Sequence, residues 1–500
     1  MRCSFRRSFK AVFVLLALAV SASAARAAVY IPTKTADSAD GACNADCSLR
    51  EAVLAANAHT GDDVILLHAG VYRLTIAGNE DLGAAGDLDL QDDLVVLGDG
   101  ASRTIIDGGG IDRIFQVPGG TTVEIRDVTL RNGRAPGAGG AIQNAGELTV
   151  LRSVLSGNSS VAGLAGAGFG GAILTDGLNS SLTVVDSTLA SNTAQGGGGA
   201  IAVGGEMTLA NVTITGNQSQ ADFGGGLYVF SDAKATVNNA TIASNTAAIK
   251  GGGAFIESSA FIGVSPKITN SILAGNSAPS EPDCSGPVDS GYDVIGNGAG
   301  CVGPSAAKHD IIGALLSPVD AKLGPLAENG GPTPTRALLA GSPALDAGNP
   351  ASPGAGGGAC EATDQRGTAR PGGVRCDIGA FEVTTACVAG GSTLCLNNGR
   401  FKVTATWQSG GTTAPAQGVT LTGESGYFWF FDPGNVEVTI KVLNACSANS
   451  RYWVFASGMT NVRVDLTVTD TRTGATKTYN NPQGRVFRSI LDTGAFATCP

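Results

Sequence analysis

One phrase recurs down the middle of this chain, and that recurrence limits the fold more than any other feature. Between about Val123 and Ser277 the segments VEIRDVTLRNG, LTVLRSVLSGN, LTVVDSTLASN, MTLANVTITGN, ATVNNATIASN and PKITNSILAGN follow one another. Between them stand GGAI at Gly139, Gly170 and Gly198, GGLY at Gly225 and GGAF at Gly252. The punctuating Asn158, Asn192, Asn217, Asn245 and Asn276 lie 34, 25, 28 and 31 positions apart. A unit of this length cannot bury its apolar face alone, so units must stack.

Within each unit apolar residues alternate, as in Leu182 and Val184 or Met207 and Leu209, and each run stops at Gly or Asn. That is the period of a strand. A helix would have to hold Gly clusters at about 1 kcal/mol each, whereas corners between strands favour Gly and Asn, which accept left-handed backbone angles. Strands bonding to their equivalents one coil away form a parallel solenoid, and the chirality of parallel crossovers makes it right-handed. Stacking would align the asparagines into a ladder of amides. The expected fold is therefore all-β: a right-handed parallel β-helix with a capped start and a separate C-terminal domain.

A solenoid's open ends need covers. Ser48-Leu49-Arg50-Glu51 has capping-box spacing, and Leu49, Ala52, Val53 and Ala56 then share one face up to Asn57, which predicts a short helix over the first coil. Val64–Leu67, Val71–Ile76, Asp87–Leu90 and Leu94–Leu97 read as the first strands. From Gly324 to Gly358 Pro and Gly become dense, which reads as a C-terminal cap and linker.

The first 27 residues read as a secretory signal. Arg2, Arg6, Arg7 and Lys10 precede the apolar run Ala11–Val20, with cleavage sites at Ala22-Ser23-Ala24 or Ala25-Arg26-Ala27. No later stretch holds the ~18 apolar residues that a membrane helix needs. Losing Arg2, Arg6, Arg7, Lys10 and Arg26 takes the formal charge from −10 to −15, which disfavours a nucleic-acid partner. Of eleven cysteines Cys3 leaves with the signal, and the ten others are an even number in an oxidising compartment. Nearness in sequence pairs Cys43 with Cys47, Cys284 with Cys301 and Cys360 with Cys376, leaving Cys387, Cys395, Cys446 and Cys499 to pair among themselves. A lone C-x3-C with His59, His68 and His309 elsewhere does not make a zinc site.

From Cys387 the Gly repeats end, and Trp407, Trp429 and Trp453 all lie beyond it. Alternation through Val436–Val442 and Val462–Val468 predicts an antiparallel β-sandwich. In Tyr427-Phe428-Trp429-Phe430-Phe431 a strand sends Tyr427, Trp429 and Phe431 to one face and Phe428 and Phe430 to the other. The first three are the candidate ligand-binding residues, a platform for sugar rings or a protein. The domains expected are 1–27 signal, 28–122 cap and first coils, 123–323 repeats, 324–386 cap and linker, and 387–500 sandwich.

Chemistry on such a face needs carboxylates at equivalent positions of neighbouring coils. Asp127, Arg152, Asp186, Asn211 and Asn239 share the slot after the first strand of each unit, so Asp127 and Asp186 stand two coils apart, about 9–10 Å by strand spacing, with Arg152 between. These three are the catalytic candidates, as an inverting acid pair or as a lyase base beside acids. DGGG at Asp107 resembles a strand end in polygalacturonases, but the repeats hold no histidine. No resident cofactor is expected. Calcium is the one ion considered, at GDLDLQDD from Gly86, which lacks the spacing of a helix-loop-helix calcium loop.

The motifs also carry a resemblance. CSLREA at Cys47 is the signature of the CSLREA domain, and the GGAI and SGN repeats look like polymorphic outer-membrane-protein repeats. NGGPTPT at Asn329, GSPALDAG at Gly341, TDQRG at Thr363 and CDIGAFE at Cys376 resemble the end of the choice-of-anchor β-helix domain. Together they span about residues 29–383, and the resemblance implies a right-handed β-helix at the cell surface or secreted, without established catalytic residues. The chain thus reads first as an exported, adhesin-like protein whose partner is an extracellular glycan or a surface protein. The alternative is an extracellular polysaccharide lyase or glycoside hydrolase.

Overall fold

The computed structural model describes residues 27–499 apart from 79–81, 164–166, 178, 259–264, 384–386, 388, 398 and 472–474, so the signal segment lies almost wholly outside the described residues. Three long parallel sheets build the solenoid. Among the described residues, sheet A stacks ten strands from Val29–Tyr30 to Asp289–Gly291, and sheet B ten from Gly70–Arg73 to Ile311–Ile312. Sheet C stacks nine from Leu88–Asp89 to Cys301–Val302, and a narrower sheet of five short strands fills the longest corner. The repeats pair in register: Leu148 with Leu182, Leu182 with Met207, and Met207 with Ala235. Leu155, Leu189, Ile214 and Ile242 do the same in sheet B, and Ile142, Ile173, Ile201 and Leu227 in sheet C. These columns are buried and form one continuous core.

Corners are set by backbone angle. Asp127, Arg152, Asp186, Asn211, Asn239 and Asn270 all carry positive φ, from 44° at Arg152 to 60° at Asp127, and turn the chain from sheet A into sheet B. Asn and Asp tolerate this region, whereas an arginine there costs about 1–2 kcal/mol. At the corner before sheet C, Gly170 has φ of +67°, and a Cβ there would meet the Ile173 carbonyl oxygen at 2.2 Å. The asparagine ladder is present: Nδ2 of Asn158 donates to Oδ1 of Asn192, and the pattern passes through Asn217 and Asn245 to Asn276 at 2.9–3.0 Å per step.

The helix α1, Leu49–Asn57, covers the first coil, with Ser48 and Glu51 in the expected reciprocal cap. Arg50 is fully buried beneath it, paired with Asp37 and donating to the carbonyls of Gly83, Gly86 and Asp87. The segment expected to cap the far end does more than that. After the hairpin Leu323–Ala327/Thr335–Leu338 it doubles back along the outer face of sheet B. Ile378, Phe381, Leu338 and Ala344 bury Ile272, Ala274 and Val294 there. This strap is held by Gln365, which bonds Thr188 and Thr213, and by a buried Arg370–Glu382 pair at 2.7 Å.

The C-terminal domain is a β-sandwich of two antiparallel sheets. Sheet E holds Thr393–Leu396, Phe401–Ser409, Thr412–Pro415, Arg463–Asp470 and Thr476–Asn481. Sheet F holds Gln417–Thr422, Ser425–Trp429, Val438–Ala445, Arg451–Gly458 and Ile490–Phe496. Their inner faces enclose Phe401, Val403, Phe428, Val442, Val454 and Leu466. Among the described residues five disulfides form: the three expected pairs, then Cys387–Cys395 and Cys446–Cys499, which resolve the pairing left open by sequence.

Candidate functional site

The corner slot contains the acids expected from the repeat. Arg152 donates from Nε to Asp127 Oδ1 at 2.8 Å and from Nη2 to Oδ2 at 2.6 Å, a bidentate pair between adjacent coils. Asp186, one coil further on, accepts from Asn211 Nδ2 at 3.1 Å. Burial lifts its carboxyl to about 6, against that hydrogen bond and Arg152. The strap adjoins it: Thr333 Oγ1 donates to the Asp186 carbonyl oxygen, and the Thr363 carbonyl takes the second hydrogen of Asn211 Nδ2. Asp127 and Asp186 therefore share one column, with the guanidinium of Arg152 committed to Asp127.

The acidic stretch at Gly86 is dispersed by its strand. Asp87 and Asp89 are buried, Arg113 Nη1 lies 3.0 Å from Asp87 Oδ2, and burial still raises Asp87 to about 6. Asp93 instead accepts the Thr122 amide. Among the described residues no group of three or more His, Cys, Asp or Glu side chains is placed to hold a metal ion.

In the sandwich the aromatic run divides as its alternation requires. Phe428 and Phe430 enter the core, while Tyr427 and Trp429 stay half-exposed on the outer face of sheet F. Phe431 lies past the strand end. Its ring meets Trp407 at 4.7 Å and Phe430 at 6.2 Å, so it covers the end of the sandwich and makes no ring contact with Trp429. Cross-strand register adds residues that sequence reasoning missed: Thr439 stands opposite Tyr427, and Lys441 and Leu491 stand opposite Phe455. Trp453 and Phe455 meet at 6.0 Å, and Lys441 Nζ lies 5.3 Å from the Phe455 ring centre. A cleft of about 280 Å³ runs between Leu421, Thr439, Lys441, Phe455, Ser489 and Leu491.

A second aromatic group, also missed, lies on the outside of sheet C. The outward column reads Gln116, Gln143, Leu174, Ala202, Tyr228, Phe255 and Ser285, one residue per coil. Phe169, Phe223 and Phe230 flank it from the neighbouring loops. Tyr228 meets Phe169, Phe230 and Phe255 at 5.4, 4.7 and 5.1 Å, and Phe223 stacks on Phe255 at 4.5 Å. The available signal was the residue after the inward one in each unit, which is Gln143, Leu174 and Ala202 in the GGAI coils and becomes Tyr228 and Phe255 in the next two.

A match to a known family agrees with the solenoid. Residues 113–302 match the family described as right handed beta helix region. No curated protein matches the chain. Among solved structures, a crystal structure of pectate lyase Pel9A is similar over 72% of this chain and 96% of that one, at 14% identity and a TM-score of 0.29. The middle of the chain is thus a right-handed parallel β-helix.

Proposed function

We propose that this is an exported β-helix protein that binds extracellular polysaccharide without cutting it. The observation that carries the reading is the outer face of sheet F, where Tyr427, Trp429, Trp453 and Phe455 are half-exposed and where Phe455 and Lys441 line a shallow cleft. Pyranose rings present C–H faces that stack on aromatic faces, while their hydroxyls seek polar neighbours. Ser425, Thr439, Ser457 and Ser489 supply those neighbours in the cleft beside Phe455. Trp453 Nε1 is already bonded to Asn449 Oδ1, which fixes the indole and leaves its ring face for a ligand. The secretory-type N-terminus and the CSLREA and choice-of-anchor resemblance support a place outside the cell.

All three tryptophans lie in this domain, so their emission reports it selectively. Titration with polysaccharide should change the emission and give saturable binding, and Trp429→Ala should abolish that response with the melting temperature kept. An unaltered response in Trp429→Ala and in Phe455→Ala would defeat this site.

Cleavage is the second reading, favoured by one observation: Asp186 holds its proton to about 6, while Asp127 is ion-paired with Arg152. An inverting hydrolase needs such a proton donor and an ionised base, about 6.5–9.5 Å apart. In that mechanism Asp186 would protonate the leaving oxygen and Asp127 would activate water. New reducing ends, lost in Asp186→Asn, would establish it.

A further inference from the structure

We infer that the cavity between the strap and the corner that ends the asparagine ladder is a binding site for a small monocarboxylic acid. The inference goes beyond the polysaccharide-binding reading and involves neither the sandwich nor its tryptophans.

The cavity holds about 400 Å³, at the small end of the volumes that take compact ligands. One wall is the corner with Ser244, Asn276 and Asn297, and the other is the strap with Lys322 and, from its hairpin, Arg336. What sets it apart is a group of donors that have no acceptor. Arg336 donates from Nε to the Gly324 carbonyl at 2.9 Å and from Nη1 to Ser244 Oγ at 2.6 Å. Both acceptors are neutral. They fix the plane of the guanidinium, and its Nη2 has no partner among the described residues. Asn297 is 5% exposed and spends its Oδ1 on the Ala299 amide, and its Nδ2 also has no partner among the described residues. Buried polar groups are normally satisfied within a fold, so a spare amide donor beside a cavity points to an acceptor brought from outside.

Lys322 completes the group. It turns the chain with φ of 49°, an angle that Gly or Asn adopts more easily, so the turn does not account for a lysine there. Neither Lys322 nor Arg336 makes an ion pair among the described residues, whereas Arg113, Arg152, Arg366 and Arg370 each hold a carboxylate. Asp and Glu outnumber Lys and Arg by 42 to 32 in this chain, yet two cations line one cavity unpaired. Burial lowers the Arg336 pKa with no carboxylate to oppose it, a penalty that an incoming anion removes.

The remaining walls limit the ligand's charge and size. Asp283 also lines the cavity, but its oxygens are taken by the amides of Asn276 and Asn297. Asp320 accepts the Lys322 backbone amide at Oδ1. These two carboxylates repel a dianion such as sulfate or phosphate more strongly than a single charge. A carboxylate spreads one charge over two coplanar oxygens and so matches the edge of a guanidinium. Ala274, Val319, Ala321 and Leu323 line the rest with apolar surface, which suits a short organic body.

The test titrates the full exported chain with lactate, its uncharged counterpart lactamide, inorganic sulfate and an oligogalacturonate, read by calorimetry, with tryptophan emission following the sandwich separately. Lactate should bind saturably with emission unchanged, and lactamide at least tenfold more weakly. The double variant Lys322→Ala/Arg336→Gln should lose at least tenfold in affinity for lactate. Lys322→Ala alone, at an exposed position, should lose at least threefold, which keeps the test decisive if the double variant misfolds. No binding of lactate, equal binding of lactamide, or wild-type affinity in either variant would overturn the site. Tighter binding of sulfate than of lactate would overturn the ligand class. Tighter binding of the oligogalacturonate would overturn the free acid and make the cavity a glycan subsite.

Discussion

Asn276 gives its side-chain amide to Asp283 Oδ1 at 2.9 Å, and so the asparagine ladder ends on a carboxylate. The same oxygen accepts the Asn276 backbone amide, and the other accepts that of Asn297. Every asparagine in the ladder needs an acceptor from the next coil. An aspartate serves as the last step because it accepts on both oxygens and asks for no donor beyond itself.

The ladder should be costly to interrupt. Asn217 accepts from the backbone and side chain of Asn192 and donates to Leu189 O and Asn245 Oδ1. Asn217→Ala leaves several buried polar groups without partners, at about 1–3 kcal/mol each. We expect a loss of about 3–5 kcal/mol, read by denaturant unfolding followed by circular dichroism, and little change at exposed Thr208.

Stability should fall as pH rises from about 4 to 7. Burial raises Asp87 and Asp186 to about 6, and burial with the neighbouring Glu382 raises Asp377 to about 7. Asp283 and Asp293 are shifted upward by burial as well. Such groups bind more protons folded than unfolded, where an aspartate titrates near about 3.9, so each step upward in pH through this window weakens the fold. Glu51 opposes them below the window: although burial pushes it up, hydrogen bonds from Ser48, Ser38 and Asp40 hold it at about 2, and its contribution is lost as acid protonates it. Melting temperatures between pH 4 and 8 should peak near the acid side. A steady rise toward pH 8 would contradict this.

The strap should depend on Arg370. Its guanidinium bonds Glu382, Asp377 O and Gly379 O, all buried. Arg370→Ala leaves the Glu382 carboxylate buried without its partner, typically about 3–5 kcal/mol. Limited proteolysis should then cut between residues 340 and 383 while the coils persist.

Much of this was legible in the residues, for reasons that are local. Ser48 and Glu51 announce α1 because a capping box is a short-range device, and Asn158 to Asn276 mark one corner because they recur at one place in the repeat, the left-handed angle there falling on the residue before each, Gly157, Ser191, Gly216, Ser244 and Gly275. The acid slot was readable too, since Asp127, Arg152 and Asp186 occupy equivalent places in one repeat. What was not legible depends on register and return. Phe169, Phe223, Tyr228 and Phe255 come from separate coils and meet only once strands are aligned. Gln365 reaches Thr188 across 177 positions, a contact no periodicity encodes. Phe431 shares a strand face with Trp429 by alternation, but the strand ends first and its ring turns to Trp407.

The most direct measurement incubates the purified protein with a panel of neutral and anionic polysaccharides and follows retention and chain length together. Retention of a polymer, with viscosity and reducing ends constant, is the result expected of a protein that holds glycans on a ring-bearing face. Falling viscosity with new reducing ends, abolished by Asp186→Asn, would contradict it and move the function to the corner acids.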